Sequence, residues 1–225
     1  MRRATLQRLV DSPIAATEPE LDHRLRDLLS TVDDAEAGLA AAALVLSSSR
    51  GSADGLAHLF AVIAEPRNLQ AVIASLIERA PFQGDRVQPI AERLVELLLA
   101  RQKHSGLAMR LAVHTHSAPA LQSAIERAAG CGALHAGALM ETLAAIPQVV
   151  GRRRGAEIEA LEGTFAAAQD PMVRRIGLAV LAERASVAGW PDKARQRLAF
   201  YRQDASALVR ETASLTFPPD PPAAS

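Results

Sequence analysis

Three histidines and the single cysteine are the grouping in this sequence that has the residue types of a metal site. His114 and His116 stand two positions apart, and Cys131 precedes His135 by four positions. Zinc prefers such ligands, but its structural sites pair them at tighter, recognisable spacings. We therefore expect no metal site and interpret the four as helix-end histidines and a small buried thiol. If a metal is bound, they are the candidate ligands.

Positive charge is densest at Arg152, Arg153 and Arg154, which are flanked on each side by glycine. Such a cluster could contact a phosphate backbone or an acidic protein surface. The alternative is a solvated loop that is partly neutralised by the glutamates of the next segment. We name the three arginines as candidate binding residues, together with Arg175.

Aromatic residues are too few to build a platform for single-stranded nucleic acid. The chain has one tryptophan, Trp190, one tyrosine, Tyr201, and five phenylalanines. They do not alternate with basic residues, as the side chains of stacking platforms do. We name Trp190 and Tyr201 as candidate binding residues. For Trp190, which precedes Pro191 at a predicted helix start, packing against the following helix is the alternative.

Catalytic motifs are missing from the sequence. It contains neither the Gly-x-Ser-x-Gly of a nucleophile elbow nor the Gly-x-x-x-x-Gly-Lys-Ser/Thr of a phosphate-binding loop. Carboxylate pairs such as Glu92 and Glu96, or Glu159 and Glu162, have the spacing of a solvated helix face. We expect a protein that is not an enzyme and that uses no cofactor.

Composition and charge narrow the class of partner. Of 225 residues, 49 % are hydrophobic and 3 % aromatic, and 25 basic residues balance 25 acidic ones. Because binding through phosphates requires a basic excess, a protein partner is favoured and nucleic acid is the alternative. One cysteine allows no intrachain disulfide, and the apolar run Leu39–Leu46 is far shorter than the roughly 20 residues of a membrane helix. We expect a cytoplasmic protein without membrane contact; no oligomeric state is indicated.

Apolar residues recur at the three- and four-residue spacing of amphipathic helices, and prolines punctuate the segments. Alanine and leucine are abundant, whereas the residues that favour strands are scarce. The pattern predicts an all-α protein with helices at about 5–10, 19–31, 34–47, 54–64, 67–79, 86–102, 106–115, 118–129, 134–146, 155–168, 171–185, 191–202 and 206–216. Longer loops are expected at 47–53, 81–86 and 147–155, and a proline-rich disordered tail at 218–225.

An internal repeat near the end of the chain indicates stacked helix pairs. The segment Asp170–Gly177 aligns with Ser206–Ala213 at an offset of 36 residues. Each has an N-cap residue, an apolar pair, an arginine and a small residue that admits a neighbouring helix. The matched arginines are expected to bond acidic groups or carbonyls of the adjacent repeat, with a ligand role as the alternative. The expected structural set between repeats is Asp170, Arg174, Asp204 and Arg210.

At these residues the chain resembles the HEAT-repeat family, in which helix pairs stack because one pair cannot bury its apolar face alone. The resemblance implies a right-handed α-solenoid of antiparallel helix pairs. It further implies a single array over 1–217, with degenerate repeats in 1–150 and the clearest ones in 155–217.

The carboxyl-terminal part also looks like the HEAT-type sensor arrays of bacterial NACHT/STAND NTPases. The residues that carry this resemblance are Gly189-Trp190-Pro191, Arg197-Leu198, Tyr201-Arg202-Gln203-Asp204, Leu208-Val209 and Thr216-Phe217-Pro218-Pro219. The NTPase motif itself is missing, so the resemblance implies a sensor-like array, a fragment or a companion subunit.

A stacked array offers a long wall and exposed ridges that suit the binding of peptides, helices or whole domains. We therefore predict a non-catalytic protein-binding scaffold, adaptor or sensor subunit. The alternative is a nucleic-acid-binding repeat protein, which requires its arginines to converge on one surface and fails if they scatter or pair with carboxylates. Those arginines are Arg152, Arg153, Arg154, Arg174, Arg175, Arg195, Arg197 and Arg202.

Overall fold

The structure, a computed structural model, describes residues 3–11, 19–30, 33–48, 53–79, 84–153 and 155–219. Within these ranges the backbone forms thirteen α-helices, one 3-10 turn (Gln102–His104) and no strand, which confirms the all-α prediction. No helix there is both long and apolar enough to cross a bilayer. The helices are α1 (Arg3–Asp11), α2 (Pro19–Leu28), α3 (Asp34–Ser48), α4 (Ala53–Ile63), α5 (Pro66–Arg79), α6 (Gly84–Leu99), α7 (Ser105–Ala112), α8 (Ala118–Gly130), α9 (Ala136–Gly151), α10 (Gly155–Ala166), α11 (Pro171–Ala188), α12 (Asp192–Tyr201) and α13 (Ala207–Ser214).

Each predicted helical segment coincides with one of these helices, but the loop predicted at 147–155 is wrong. Helix α9 continues through Pro147 to Gly151. Proline removes one helical hydrogen bond, yet Ile146 and Val149 on either side of it are buried at 3 % and 0 % exposure. Their burial stabilises the last turn. The other two predicted loops are shorter than expected, because Ser48 ends α3 and Gly84 begins α6; residues 49–52 and 80–83 lie outside the described ranges.

The chain divides into two compact units, an amino-terminal unit, Met1–Thr115, and a carboxyl-terminal unit, His116–Ser225. The first is organised about α3, which packs against α1, α2, α4, α5 and α6. Every residue of α3 from Ala40 to Val45 is at most 2 % exposed, as is typical of a helix that is apolar on all sides. Its approach to α5 is close: a Cβ on Gly38 would lie 2.6 Å from the Ala71 Cβ.

Arg79 attaches α1 to this unit. Its side chain is 8 % exposed. Nε donates to the Val10 carbonyl at 3.1 Å, and Nη2 donates to Asp11 Oδ1 at 2.6 Å. The guanidinium therefore neutralises the carbonyl end of α1, where a cation is favourable.

His104 is a buried histidine of the same unit. It is 3 % exposed and meets Phe60 edge-on, with ring centroids 6.2 Å apart. Its Nε2 is buried and has no hydrogen-bond partner among the described residues. Burial lowers the pKa of His104 below its ordinary 6.5, and the nearby charges of Lys103 and Arg101 lower it further.

Helix α11 has the central position in the carboxyl-terminal unit, where it contacts α8, α9, α10, α12 and α13. One side of it forms a core with Trp190, Leu198, Tyr201 and Val209. Gly177 of α11 is required for this packing, because a Cβ there would lie 2.7 Å from the Tyr201 hydroxyl and 3.0 Å from the Phe165 Cβ. The solenoid geometry and the single array over 1–217 remain predictions.

Candidate binding surface of the carboxyl-terminal unit

The turn before α11 and the turn before α13 are joined by Arg174. Its Nε and Nη2 donate to the two carboxylate oxygens of Asp204, at 2.7 and 2.9 Å. Its Nη1 donates to the carbonyls of Ala168 and Gln169 at 2.9 and 2.6 Å. The bond from Arg174 lowers the pKa of Asp204, whose side chain is 6 % exposed. Arg174 therefore holds together the two turns that the repeat alignment pairs.

The other members of the predicted structural set act within their own turns. Arg210 is exposed and donates through Nη1 to the carbonyls of Asp204 and Ala205, at 2.8 and 3.2 Å. The Asp170 carboxylate caps α11 by accepting from the Met172 N–H at 2.7 Å. Ser206 occupies the N-cap of α13, but its hydroxyl accepts no capping bond there. Asp204 supplies that contact, because its Oδ1 accepts from the Ser206 N–H at 2.8 Å.

The prediction that Glu162 lies on a solvated helix face is wrong, because its carboxylate is buried and bonded. It is 3 % exposed, and its Oε1 accepts from the Tyr201 hydroxyl at 2.7 Å and from Arg197 Nε at 3.0 Å. Burial and the charge of Glu162 raise the pKa of Tyr201, so the phenol stays protonated and donates. This network joins α10 to α12. Its one sequence signal is a glutamate on the apolar side of α10, between Leu161 and Phe165.

A groove of about 380 Å³ opens beside this network. Glu159 accepts from Lys193 and, at 3.2 Å, from Arg184 Nη1, and these contacts, that of Lys193 above all, lower the pKa of Glu159. Phe200 is 58 % exposed at the groove, and the Arg197 guanidinium lies 5.4 Å from the centroid of its ring. The cations of the groove therefore already face carboxylates, and Phe200 is its exposed apolar surface.

The predicted arginine cluster does not form one basic surface in the described residues. Arg153 is buried, and its Nη1 donates to the Val149 carbonyl at 3.1 Å. Arg152 is half-buried, and Arg154 lies outside the described ranges. Arg175 is half-buried on α11 and makes no hydrogen bond or ion pair with any described residue; burial lowers its pKa. Among the described members of the predicted basic set, Arg175 is the one with no hydrogen bond or ion pair.

Trp190 and Tyr201, named as binding residues, belong to the core of the unit, with 7 % and 0 % exposure. Neither side chain is presented to a partner. Trp190 adopts a left-handed backbone with φ of 57°, and its N–H donates to the Ala185 carbonyl at 2.8 Å, which closes the end of α11. Such a backbone strains a bulky residue, and burial of the indole ring offsets that strain.

Two of the four metal candidates make local contacts. His135 caps α9, because its Nδ1 accepts from the Ala138 N–H at 3.3 Å. The Cys131 thiol is half-buried beside the Ala128 carbonyl, at 3.6 Å. The described part of the chain contains no group of three or more His, Cys, Asp or Glu residues that could hold a metal.

Exposed apolar side chains concentrate at the end of the carboxyl-terminal unit. The described residues include seven large apolar side chains that are exposed, and five of these lie between positions 187 and 217. The five are Val187 (78 %), Phe200 (58 %), Leu208 (42 %), Leu215 (74 %) and Phe217 (78 %). Leu208 and Leu215, seven residues apart, fall on the same side of α13. Single exposed apolar residues are common on protein surfaces, but five between positions 187 and 217 make this part of the unit the candidate interaction site.

Comparison of the chain with models of protein families, with curated proteins and with solved structures finds no match.

Proposed function

We propose that this protein is a non-catalytic protein-binding module, a scaffold, adaptor or sensor subunit built on HEAT-like repeats. The observation that carries the proposal is the concentration of exposed apolar side chains at the end of the carboxyl-terminal unit. Burial of such side chains is the main favourable term in protein association, and large aromatic and aliphatic residues are the usual anchors of an interface.

The pairing of the arginines supports a protein partner over nucleic acid. Arg174 and Arg197 face carboxylates, whereas Arg195 and Arg202 are bonded to backbone carbonyls. A phosphate backbone requires cations whose charge is uncompensated, so Arg174 and Arg197 do not suit it, whereas the two carbonyl-bonded arginines keep their charge. The exposed aromatic rings at positions 200 and 217 are not interleaved with free cations, as a stacking platform would require.

Two further features of the proposal rest on the sequence. The resemblance to the sensor arrays of bacterial NACHT/STAND NTPases supports a sensor role in a defence or signalling system. The single cysteine supports a reducing, cytoplasmic compartment.

The proposal is tested by capture from an extract of the source organism, with and without nuclease, and quantification of the recovered proteins by mass spectrometry. The test variant carries Phe200→Ser, Leu208→Ser and Leu215→Ser. The control carries Val62→Ser and Met140→Ser, at the two exposed apolar residues outside this region. We expect the wild type and the control to recover a common protein in the presence of nuclease, and the test variant to lose it. Recovery that disappears with nuclease, or that survives in the test variant, would overturn the proposal.

A further inference from the structure

Arg195 of α12 and Arg202, the residue at the carboxyl-terminal cap of that helix, hold the segment that follows α13. Arg202 donates through Nη2 to the Thr216 carbonyl at 2.8 Å and through Nε to the Ala213 carbonyl at 3.2 Å. Arg195 donates through Nη2 to the Pro219 carbonyl at 2.6 Å and through Nε to the Trp190 carbonyl at 2.9 Å. Pro219, the later residue of the segment, contacts Arg195, the earlier arginine, so the segment runs antiparallel to α12.

The spacing of the two contacts fits an extended chain. Arg195 and Arg202 are seven residues apart, which places them on one side of α12 with about 10 Å between them along the helix axis. Three residues of a polyproline-type chain span about 9 Å. Pro218 and Pro219 favour that conformation and have no N–H, so the carbonyls are the main polar groups that the segment offers.

Arg195 and Arg202 contact the segment through its backbone carbonyls. Of its side chains, Thr216 and Pro218 are half-buried and Phe217 is 78 % exposed. The two carbonyl contacts are ones that an extended chain of another sequence would present equally well.

We infer that Arg195 and Arg202 form a receptor, the arginine clip, for an extended, proline-containing segment of a partner protein. The chain's own residues 216–219 occupy the clip in cis, and the partner segment displaces them. This inference rests on the proposed function, since it names the kind of protein segment that the module takes. The recognised groups are two carbonyls three residues apart in a chain that is already extended, which lowers the entropy lost on binding.

The test uses the full chain and a synthetic peptide of residues 214–219, Ser-Leu-Thr-Phe-Pro-Pro, with both ends blocked. One variant, Pro218→Gly with Pro219→Gly, keeps the clip and loosens the cis segment, because two glycines increase the freedom of the undocked chain. Binding of the peptide is followed through the Arg195 and Arg202 Nε–H resonances in nitrogen-15 NMR spectra. We expect the peptide to bind this variant about fivefold more tightly than the wild type and to return the two resonances toward their wild-type positions.

Adding Arg195→Gln and Arg202→Gln to the glycine variant is expected to weaken peptide binding at least tenfold. Lys193→Gln, on the groove side of the same helix, is the matched control and is expected to leave binding unchanged. Trp190 fluorescence, read during thermal unfolding, verifies that each variant is folded. Equal affinity with and without the two arginines, or resonances that do not move, would overturn the clip. The capture experiment does not alter residues 216–219, so its failure is distinguishable from failure of the clip.

Discussion

Replacing Arg174 by glutamine isolates the connection between the two repeat turns of the carboxyl-terminal unit. The change removes the four hydrogen bonds of Arg174, two to the Asp204 carboxylate and two to the carbonyls of Ala168 and Gln169. Asp204, with a side chain only 6 % exposed, then loses its counter-charge. It retains one bond, from the Ser206 N–H.

The expected loss of stability follows from the burial of the Asp204 carboxylate. Removing one partner of a buried ion pair destabilises a protein by about 3–5 kcal/mol, because the remaining charge is left uncompensated. Arg174 is 16 % exposed, so water can partly replace it. We therefore expect the free energy of unfolding to fall by about 3 kcal/mol.

Urea titration followed by the fluorescence of Trp190 measures this loss, because the sole tryptophan lies in the core of the same unit. Arg210→Gln is the matched control: Arg210 is at the equivalent repeat position but is exposed and bonds only carbonyls. It is expected to cost about 1 kcal/mol or less. Equal losses for the two variants would refute the reasoning.

The ion pair of Arg174 and Asp204 also predicts how stability depends on pH in the acid range. The hydrogen bond from Arg174 lowers the pKa of Asp204 below the ordinary 3.8, so the unfolded state binds the proton of Asp204 more tightly than the folded state does. The contribution to stability is complete above pH 3.8 and is lost as the pH falls through the lower folded-state pKa. Arg174→Gln is expected to reduce this loss below pH 3.8, and an unchanged pH profile would contradict the assignment.

Four further variants test the packing within each of the two units. Gly177→Ala is expected to lower the free energy of unfolding by about 1–3 kcal/mol, because the added Cβ has no room. Gly163→Ala on α10, where an added Cβ meets nothing, is expected to raise it by up to about 1 kcal/mol. Urea titration compares the two variants, and changes of the same sign would contradict the packing. Arg79→Met removes the hydrogen bonds from the guanidinium to the end of α1. It is therefore expected to lower the free energy of opening of the α1 amides, measured by hydrogen exchange, by about 2 kcal/mol. Unchanged exchange would show that Arg79 does not anchor α1. The pKa of His104 is lowered, so its neutral form stabilises the fold above pH 6.5, and this stabilisation is lost as the pH falls below that value. His104→Phe is expected to flatten the dependence of the free energy of unfolding on pH between pH 8 and pH 5. An equally steep dependence would refute the assignment.

Local signals were sufficient for the helices because each is encoded in consecutive residues. Asp170 followed by Pro171 predicts the start of α11, and both residues act as that motif requires. Pro147 misled the prediction because a proline signals a helix end only when no tertiary contact holds the next turn. The buried Val149 provides that contact in α9.

Contacts between distant residues decided the parts that were not predicted. The repeat alignment identified Arg174 and Asp204 as members of one structural set, but that both Asp204 oxygens accept from Arg174, 30 residues away, depends on the fold. Glu162 resembles its surface neighbours in sequence and differs only because Tyr201, 39 residues further on, donates to it. The burial of Trp190 likewise depends on α11 and α12 meeting around it, which no local pattern encodes.

The central claim is that the exposed apolar side chains near the end of the chain bind a protein. Its most direct test is the dissociation constant of the captured partner, measured by calorimetry with purified components. For the variant with Phe200→Ser, Leu208→Ser and Leu215→Ser, the account predicts at least about a tenfold rise in that constant, with unfolding unchanged within about 1 kcal/mol. A dissociation constant within about twofold of the wild type would contradict the claim.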